Sequence, residues 1–317
     1  MTNIKKLNIA NIPTPIQKVK FKGSEFLIKR DDFTGTELSG NKIRKLEYLL
    51  YDAKQQKSAY IFTCGGDQSN HARATAIAAT SLGFKAKLFL WGNSNQKPAG
   101  NLFLDNLTGA EIKFLNKKEY SFVNNIMEEE QYQLKQKNIN AYIIPTGGSS
   151  PPGVWGYINF VDELRKQIDM KKIKGIYLAL GSGGTIAGLL VGQALLKENF
   201  KIFSVSVIEK SKEIKAYIEN LCEETVKKYN LKIKVNYKNL EVLDTYSEEG
   251  YKKIVPQKVE LIKEFFNSTG ILFDPVYTGK AFYAYNENVL SKKKKSKIMF
   301  LHTGGLLGVF AKTKDYL

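Results

Sequence analysis

The stretch that organises this chain is Ser39-Gly40-Asn41-Lys42-Ile43-Arg44-Lys45-Leu46-Glu47, which sets a lysine behind a glycine turn at the start of a helix. Gly40 and Asn41 tolerate turn geometry, and apolar residues recur at helical spacing after Lys42. The helix dipole and the neighbouring Arg44 and Lys45 disfavour an ammonium group there, so we expect a lowered pKa for Lys42. A partly neutral lysine can attack a carbonyl group and form a Schiff base. The alternative is a solvated lysine on an amphipathic helix.

The composition indicates a globular protein that carries a basic charge. The 317 residues, 43% of them apolar, are enough for one large or two modest domains. A formal charge of +17 suggests nucleic acid as a partner, but the lysines are scattered over helix faces, and no zinc-finger or RNA-binding signature occurs. The one dense run, Lys292–Lys297, is typical of a solvated turn. We therefore expect attraction to anions in general and no nucleic-acid partner.

The cysteines and the amino terminus bear on where the protein works. Cys64 and Cys222 lie far apart and match no metal-ligand spacing, which predicts a reducing compartment and no metal site. Polar residues follow Met1, and no apolar run approaches the length that spans a membrane. We expect a cytoplasmic protein without a membrane partner.

Apolar, β-rich runs alternate with helical patterns along the chain. Strands are predicted at Phe26–Lys29, Ala59–Thr63, Lys85–Leu90, Glu111–Leu115, Ala141–Ile144, Ile176–Leu180, Ile202–Ile208, Ile271–Phe273 and Ile298–Leu301. Helices are predicted at Lys42–Lys54, Ala72–Ser81, Lys117–Lys135, Trp155–Ile168, Thr185–Leu196, Lys212–Tyr229, Val259–Asn267 and Lys280–Leu290. This alternation predicts an α/β fold of parallel βαβ units, with helices on both faces of the sheet. In such folds ligands bind where strands end and helices begin.

Two of the predicted strands end in glycine turns that carry polar groups. Cys64-Gly65-Gly66-Asp67-Gln68-Ser69-Asn70-His71 could lay a hydroxyl, an amide and an imidazole against one flat ligand, although Ser69 or Asn70 alone is also typical of a helix cap. Leu180-Gly181-Ser182-Gly183-Gly184-Thr185 could turn backbone N–H groups inward at a helix start and bind one phosphate group. Its glycine spacing matches neither a P-loop nor a dinucleotide fingerprint, and tight packing alone also explains many glycine turns.

Two further turns carry the other candidate residues. Phe273-Asp274-Pro275-Val276-Tyr277-Thr278-Gly279-Lys280 follows a predicted strand, and Tyr251 precedes it in a loop-like stretch. Tyrosines in a cleft can donate a proton or hold a carboxylate, whereas the alternative is a pair of core tyrosines. His302-Thr303-Gly304-Gly305 closes the last predicted strand, and His71 and His302, the chain's two histidines, both fall in such turns.

In this order, the motifs resemble one family, the pyridoxal-phosphate enzymes that comprise D-cysteine desulfhydrase and 1-aminocyclopropane-1-carboxylate deaminase. The resemblance runs from Pro13-Thr14-Pro15 through Lys29-Arg30-Asp31-Asp32 to His302-Thr303-Gly304-Gly305, which is nearly the whole chain. It implies the two-domain fold of the tryptophan synthase β subunit, known as fold type II, and a homodimer. Residues 1–46 and 151–317 would form the large cofactor domain. Residues 47–150 would form a smaller domain that closes over the substrate, with a hinge near Gly147–Gly153.

The resemblance also implies a role for each matching residue. Lys42 would form the Schiff base with pyridoxal phosphate, and Asn70 would hydrogen-bond the ring hydroxyl of the cofactor. Ser69, Tyr251 and Tyr277 would be catalytic, and Lys45 would be a second lysine near the site. The remaining cofactor-binding residues would be Gly181, Ser182, Gly183, Gly184, Thr185, Thr278 and Thr303, with the glycine turn holding the phosphate.

Thr278 distinguishes between the two activities of the family. The deaminase branch has a glutamate here, which keeps the pyridine nitrogen protonated, and a hydroxyl cannot do this. A weaker electron sink favours β-elimination from D-cysteine over the opening of a cyclopropane ring. The deaminase activity, or a lyase or racemase acting on another small amino acid, are the alternatives, and a basic nucleic-acid-binding protein is a remote one. Ser150-Pro151-Pro152 departs from the residues common in the family and leaves the accepted amino acid open.

Overall fold

The computed structural model describes residues 4–208, 211–292 and 297–316, so most of the basic run at 292–297 lies outside the described residues. The strands are β1 (Ile16–Phe21), β2 (Ser24–Arg30), β3 (Tyr60–Gly66), β4 (Lys85–Trp91), β5 (Glu111–Leu115), β6 (Ala141–Ile144), β7 (Gly175–Leu180), β8 (Lys201–Ser206), β9 (Leu240–Leu243) and β10 (Ile298–His302). The α-helices are α1 (Lys42–Gln55), α2 (Asn70–Ser81), α3 (Gly100–Leu107), α4 (Lys117–Tyr120), α5 (Val123–Gln136), α6 (Pro151–Gln167), α7 (Gly184–Leu196), α8 (Ser211–Lys228), α9 (Pro256–Thr269), α10 (Thr278–Tyr285), α11 (Leu306–Val309) and α12 (Thr313–Tyr316).

The strands form two sheets that are almost wholly parallel. The six-stranded sheet has the order β1-β2-β10-β7-β8-β9, and only the β1–β2 hairpin is antiparallel. The four-stranded sheet has the order β5-β4-β3-β6 and is parallel throughout, with Tyr60 paired to both Lys85 and Ala141. Both sheets are α/β layers, as the alternation of strand and helix predicts.

Helices cover the faces of both sheets with apolar side chains. On one face of the larger sheet, α6 and α7 pack on strand residues such as Ile176, and on the other an aromatic cluster centres on Phe265 and Phe282. Every residue of β7 is buried, as expected for a central parallel strand covered on both sides. The smaller sheet packs against α1 and α2 on one face and around Phe89 and Met127 on the other. Both sheets therefore have rigid central strands whose carboxyl ends can position a site.

One predicted strand is wrong. Ile271–Phe273 lies outside the strands, although Ile271 and Phe273 are buried as their apolar character predicts. The Leu272 carbonyl accepts from the His302 ring, and the Phe273 carbonyl accepts from the Tyr316 hydroxyl. Side chains satisfy these carbonyls, so the segment needs no neighbouring strand.

Other elements differ from the expectation in number or in bounds. No predicted element covers β1, β9, α3, α11 or α12, and the single helix predicted at Lys117–Lys135 is divided into α4 and α5 at residues 121–122. A capping box at Asn116 and Glu119 starts the short α4. α3 begins at Gly100 without a side-chain cap, so its start carries no local signal.

The last three residues of the segment expected to act as a hinge, Pro151–Gly153, begin α6. Pro151 and Pro152 occupy the first turn of α6, where proline is favoured because its missing N–H would be unpaired in any case. The predicted domain boundary between residues 46 and 47 falls inside the continuous helix α1, which packs against both α2 and α6. In the part of the chain that the structure describes, no helix is long and apolar enough to cross a bilayer.

Candidate active site

A cavity of about 790 Å³ opens where strand ends of both sheets meet helix starts. The residues predicted from the sequence that line it are Lys42, Ser69, Asn70, Gly181, Ser182, Gly183, Thr185, Tyr251, Tyr277 and Thr303. Gly184 and Thr278 do not line it. Segments distant in sequence thus converge on one cavity, as expected at the carboxyl ends of parallel strands.

Lys42 is the first residue of α1 and lines the cavity. Its Nζ donates to Asn41 Oδ1 at 2.9 Å. Burial is the main cause that lowers the pKa of Lys42 to about 8, and the charge of Arg73 lowers it further. The lowered pKa confirms the expected direction, and about a tenth of the amine is neutral at pH 7.

Arg44 does not belong to this electrostatic environment. Its guanidinium binds Asp31 and Glu163 in a buried network on the side of α6. The sequence therefore identified the direction of the shift but named the wrong neighbouring arginine, because Arg73 approaches from α2. Lys45 lines the cavity and donates to the Gly147 carbonyl at 3.1 Å, and burial holds its pKa well below the usual range.

The turn between β7 and α7 presents backbone to the cavity. Gly183 has φ +80°, a left-handed conformation that turns the chain into α7 and that glycine adopts without strain. The Thr185 hydroxyl accepts from Asn41 Nδ2 at 3.0 Å, which ties this turn to the residue before Lys42. The Gly184 N–H donates to Ser149 Oγ at 3.1 Å. One of the N–H groups predicted to bind a phosphate is therefore bonded to Ser149, a residue of the predicted hinge segment. The N–H groups and the helix start suit an anion.

The turn between β3 and α2 presents side chains instead. Ser69 caps α2, its Oγ accepting from the Ala72 N–H at 3.1 Å, and it also lines the cavity, so the capping and the cavity-facing interpretations both hold. His71 lines the cavity as well, and its Nε2 donates to Thr63 Oγ1, because that hydroxyl gives its own proton to the Ile144 carbonyl. Burial keeps the pKa of His71 well below its usual range, so the ring is neutral.

Tyr251 and Tyr277 form another part of the cavity wall, where their hydroxyl groups form a short hydrogen bond. Burial raises the pKa of Tyr251 to about 12 and that of Tyr277 well above the usual value, so both carry their protons at neutral pH. Two hydroxyl groups hold two protons, and their mutual bond uses one. The other can be donated to a ligand.

Thr278 lies behind this wall. Its hydroxyl donates to Asp274 Oδ1 at 2.6 Å and accepts from the Asp274 N–H. Asp274 also accepts from the backbone N–H groups of Val276, Tyr277 and Thr278. Of the described residues that line the cavity, Glu213 alone carries a carboxylate, and it lies in the first turn of α8. The wall formed by Tyr277 therefore offers no acid to a ligand.

Two residues near the site, Asn101 and Lys252, were not predicted from the sequence. Asn101, on α3, donates to the Asn70 side chain, and its helix had no signal to reveal it. Lys252 donates to Asp67 at 2.6 Å and lies 4.5 Å from the centre of the Trp91 ring. It joins the Tyr251 loop to the turn after β3, and its only sequence signal is that it follows Tyr251.

The comparisons with known proteins agree with this geometry. The sequence profile of the family described as pyridoxal-phosphate dependent enzymes matches residues 7–304. A mitochondrial protein of Arabidopsis thaliana named bifunctional D-cysteine desulfhydrase/1-aminocyclopropane-1-carboxylate deaminase is 36% identical over 96% of this chain and 79% of its own length. The chain belongs to the pyridoxal-phosphate dependent enzymes that include these two activities. A Thermotoga maritima protein that carries the provisional name 1-aminocyclopropane-1-carboxylate deaminase is 38% identical over 98% of this chain and 99% of its own.

Solved structures give the same fold. A crystal structure described as that of an ACC deaminase homologue has a TM-score of 0.90 and 35% identity, covering 99% of this chain and 96% of that one. A hydrogen sulfide-producing enzyme from Fusobacterium nucleatum has a TM-score of 0.68 at 16% identity, over 93% of this chain and 95% of its own, and shows the fold alone. The two-sheet architecture is thus that of the tryptophan synthase β-like fold.

The enzyme depends on pyridoxal phosphate, and the residues present fit this cofactor. A buried, partly neutral amine at Lys42 suits its aldehyde, and the helix start at Gly183–Thr185 suits its phosphate. The cavity has room for a small amino acid besides the cofactor. No cluster of His, Cys, Asp or Glu that could hold a metal ion occurs among the described residues.

Proposed function

We propose that this enzyme is a lyase that converts D-cysteine and water to pyruvate, hydrogen sulfide and ammonia by β-elimination. Pyridoxal phosphate supplies an electron-accepting ring that is strongest when a carboxylate keeps its nitrogen protonated. The observation that carries the proposal is that, among the described residues, no carboxylate lines the cavity beside Tyr277. The residue after Tyr277 is Thr278, and its hydroxyl donates to Asp274. Expelling a thiolate requires less electron withdrawal than opening a cyclopropane ring, because a thiolate is a good leaving group.

In this proposal, residues of the chain handle each proton. Lys42, with a pKa of about 8, or the Ser69 hydroxyl takes the α-proton of the substrate. The Tyr251–Tyr277 pair keeps one free hydroxyl proton and can give it to the departing sulfur. Asn70 would hold the cofactor ring, and residues 181–185 would hold the phosphate. Asn41 braces this region, since its side chain donates to the Thr185 hydroxyl and its N–H donates to the Thr303 carbonyl.

The test is a parallel assay of cofactor-loaded protein with D-cysteine, L-cysteine and aminocyclopropane carboxylate, following release of 2-oxo acid. Pyruvate and sulfide from D-cysteine alone are expected. Release of 2-oxobutyrate from the cyclopropane substrate would contradict the role assigned to Thr278 and favour the deaminase activity. No turnover of any of the three would direct attention to another small amino acid and to the segment that begins α6.

We also propose that residues 47–150 act as the closing domain and that the enzyme is a cytoplasmic homodimer. Support for the compartment comes from Cys64 and Cys222, which are both free and buried. The second sheet lies wholly between residues 60 and 144, which supports the domain division. Sedimentation equilibrium of the purified protein tests the dimer, and a monomer at micromolar concentration contradicts it.

A further inference from the structure

The amide group of Asn70 is held in one orientation from outside the cavity. Asn101 is fully buried on α3, and its Nδ2 donates at 3.0 Å both to Asn70 Oδ1 and to the Gln68 carbonyl. Because Asn70 Oδ1 accepts this bond, the Nδ2 group of Asn70 is the end left for the cavity. Asn70 therefore presents a donor to whatever lies beside it.

Arg73 fixes the orientation of Asn101 in turn. Its Nε donates to Asn101 Oδ1 at 3.2 Å, and its remaining nitrogens donate to the carbonyl groups of Glu37 and Ser39. A guanidinium carries donors only, so it can bind only the oxygen end of an amide. The assignment of oxygen and nitrogen in Asn101 is thereby dictated by its partners. The Asn101 N–H also donates to Gln68 Oε1 at 3.0 Å and holds α3 against the turn.

We propose that Arg73 and Asn101 are positioning residues that set the polarity of Asn70. Arg73 can only donate, so it donates to the oxygen of Asn101, and the nitrogen of Asn101 donates to the oxygen of Asn70. The nitrogen of Asn70 is then the donor that remains for the cavity. Such a donor suits an oxygen atom that carries negative charge and disfavours a second donor. The inference rests on the proposed function, in which the ring hydroxyl of the cofactor lies against Asn70.

If Asn101 sets the orientation of Asn70, a substitution of Asn101 should reverse the Asn70 amide inside the cavity. In Asn101→Asp the carboxylate still accepts from Arg73, but it has no proton to donate to Asn70. Asn70 must then turn its Nδ2 toward the carboxylate and its Oδ1 toward the cavity. Asn70 Oδ1 would then face the ring oxygen of the cofactor, and both are acceptors. This should weaken pyridoxal phosphate binding more than Asn70→Ala does, which only removes the donor.

The experiment compares wild type, Asn101→Asp, Asn70→Ala and the double variant for pyridoxal phosphate. The readouts are the Kd, obtained by titration, and the position of the visible absorbance band. Asn101→Asp should raise the Kd on the order of tenfold, and Asn70→Ala by less. The double variant should return to the Kd and spectrum of Asn70→Ala, because Asn101 acts through Asn70. A purely structural role for Asn101 would not be rescued by removing Asn70.

Asn106→Asp is the matched control, since Asn106 is exposed on the same helix and its side chain donates to the Leu102 carbonyl at 2.8 Å. Its Kd and spectrum should equal those of wild type. Circular dichroism of the cofactor-free variants checks their folding. If Asn101→Asp does not fold, Asn101→Ala replaces it, and its smaller loss must likewise vanish in the Asn70→Ala background.

Two outcomes overturn the inference. One is a double variant that binds pyridoxal phosphate more weakly than Asn70→Ala, which would show that Asn101 acts independently of Asn70. The other is an Asn101→Asp protein that binds like wild type. A failure of wild type to consume D-cysteine overturns the proposed function alone, because this titration uses no substrate.

Discussion

The turns after β7 and β3 occupy equivalent places in the two sheets but contribute to the site in opposite ways. Each follows a buried parallel strand and enters a helix that borders the cavity. The turn at residues 181–185 contributes backbone whose direction glycines set locally, with Asn41 and Ser149 as its bonding partners from elsewhere in the chain. The turn at residues 66–71 contributes side chains, and residues far away in sequence hold them in place.

The difference lies in the range of the interactions. A backbone nest depends on local φ and ψ angles, which glycines permit by themselves. The Asn70 amide depends on Asn101, 31 positions away, and Asp67 pairs with Lys252, 185 positions away. The first turn should thus be sensitive to substitutions within it, and the second to substitutions elsewhere.

Removing Lys42, which lines the same cavity as both turns, should have the largest effect. Lys42→Ala should eliminate the visible absorbance of the bound cofactor and lower activity at least about a thousandfold, because it removes both the covalent attachment and a proton carrier. The spectrum and steady-state kinetics of the purified protein measure this. Lys54→Ala, in the exposed last turn of the same helix, should behave as wild type. A Lys42→Ala protein that stays yellow after dialysis would contradict the assignment.

A methyl group in the backbone turn should weaken cofactor binding. In Gly183→Ala the new Cβ would lie 2.9 Å from Ile218 Cγ1 at a φ of +80°, so either the turn or the Ile218 side chain must shift. We expect an increase in Kd for pyridoxal phosphate on the order of tenfold and a loss of about 1 to 2 kcal/mol in the free energy of unfolding. Titration and chemical denaturation measure the two effects.

Gly270→Ala is the matched control for this substitution. Gly270 has a φ of +70° at the end of α9, and its added Cβ meets nothing within 4 Å. It should lose a similar free energy of unfolding without any change in Kd. Equal losses of affinity in both variants would mean that general destabilisation, not the turn, governs binding.

The pKa of Lys42 predicts how fast the cofactor-free protein takes up cofactor at different pH. Only the neutral amine attacks an aldehyde, and its fraction rises about tenfold per pH unit below the pKa of about 8 and levels off above it. Stopped-flow absorbance between pH 6 and 9.5 should trace this rise. A midpoint near the ordinary lysine pKa of 10.5 would show that burial and Arg73 do not act on Lys42.

These contrasts also separate what the sequence could predict from what it could not. The glycine turn, the position of Lys42 in the first turn of α1 and the alternation of strands and helices are local patterns, so they could be predicted. The strand predicted at Ile271–Phe273 was wrong because its burial is tertiary and its carbonyls bond to His302 and Tyr316. Apolar character alone does not distinguish such a segment from a strand.

Long-range contacts explain the residues that were missed. The sequence favoured Arg44 over Arg73 because Arg44 is only two positions from Lys42. Residues two positions apart on a helix point to different faces, so Arg44 binds Glu163 while Arg73 acts on Lys42. Thr278 matched a family position, but its commitment to Asp274 became visible only in the folded chain. Sequence reasoning therefore located the walls of the site better than the residues that support them.

The smallest effect we predict concerns Lys252, which connects the two sides of the cavity. It pairs with Asp67 and lies over Trp91, and its neighbour Tyr251 meets Tyr277. Because about a third of its side chain is exposed, the ion pair and the cation–π contact together contribute about 1 kcal/mol.

Lys252→Met keeps the length of the side chain but removes its charge, so it should lower kcat/KM about fivefold and leave the Kd for pyridoxal phosphate unchanged. It should also change the fluorescence of Trp91, whereas the buried Trp155 stays constant as an internal reference. Lys253→Met, at an exposed neighbouring position, should change neither quantity. If Lys252→Met alters the fluorescence but not kcat/KM, the contact exists without positioning Tyr251. The side-chain turn would then depend on α3 and not on the Tyr251 loop.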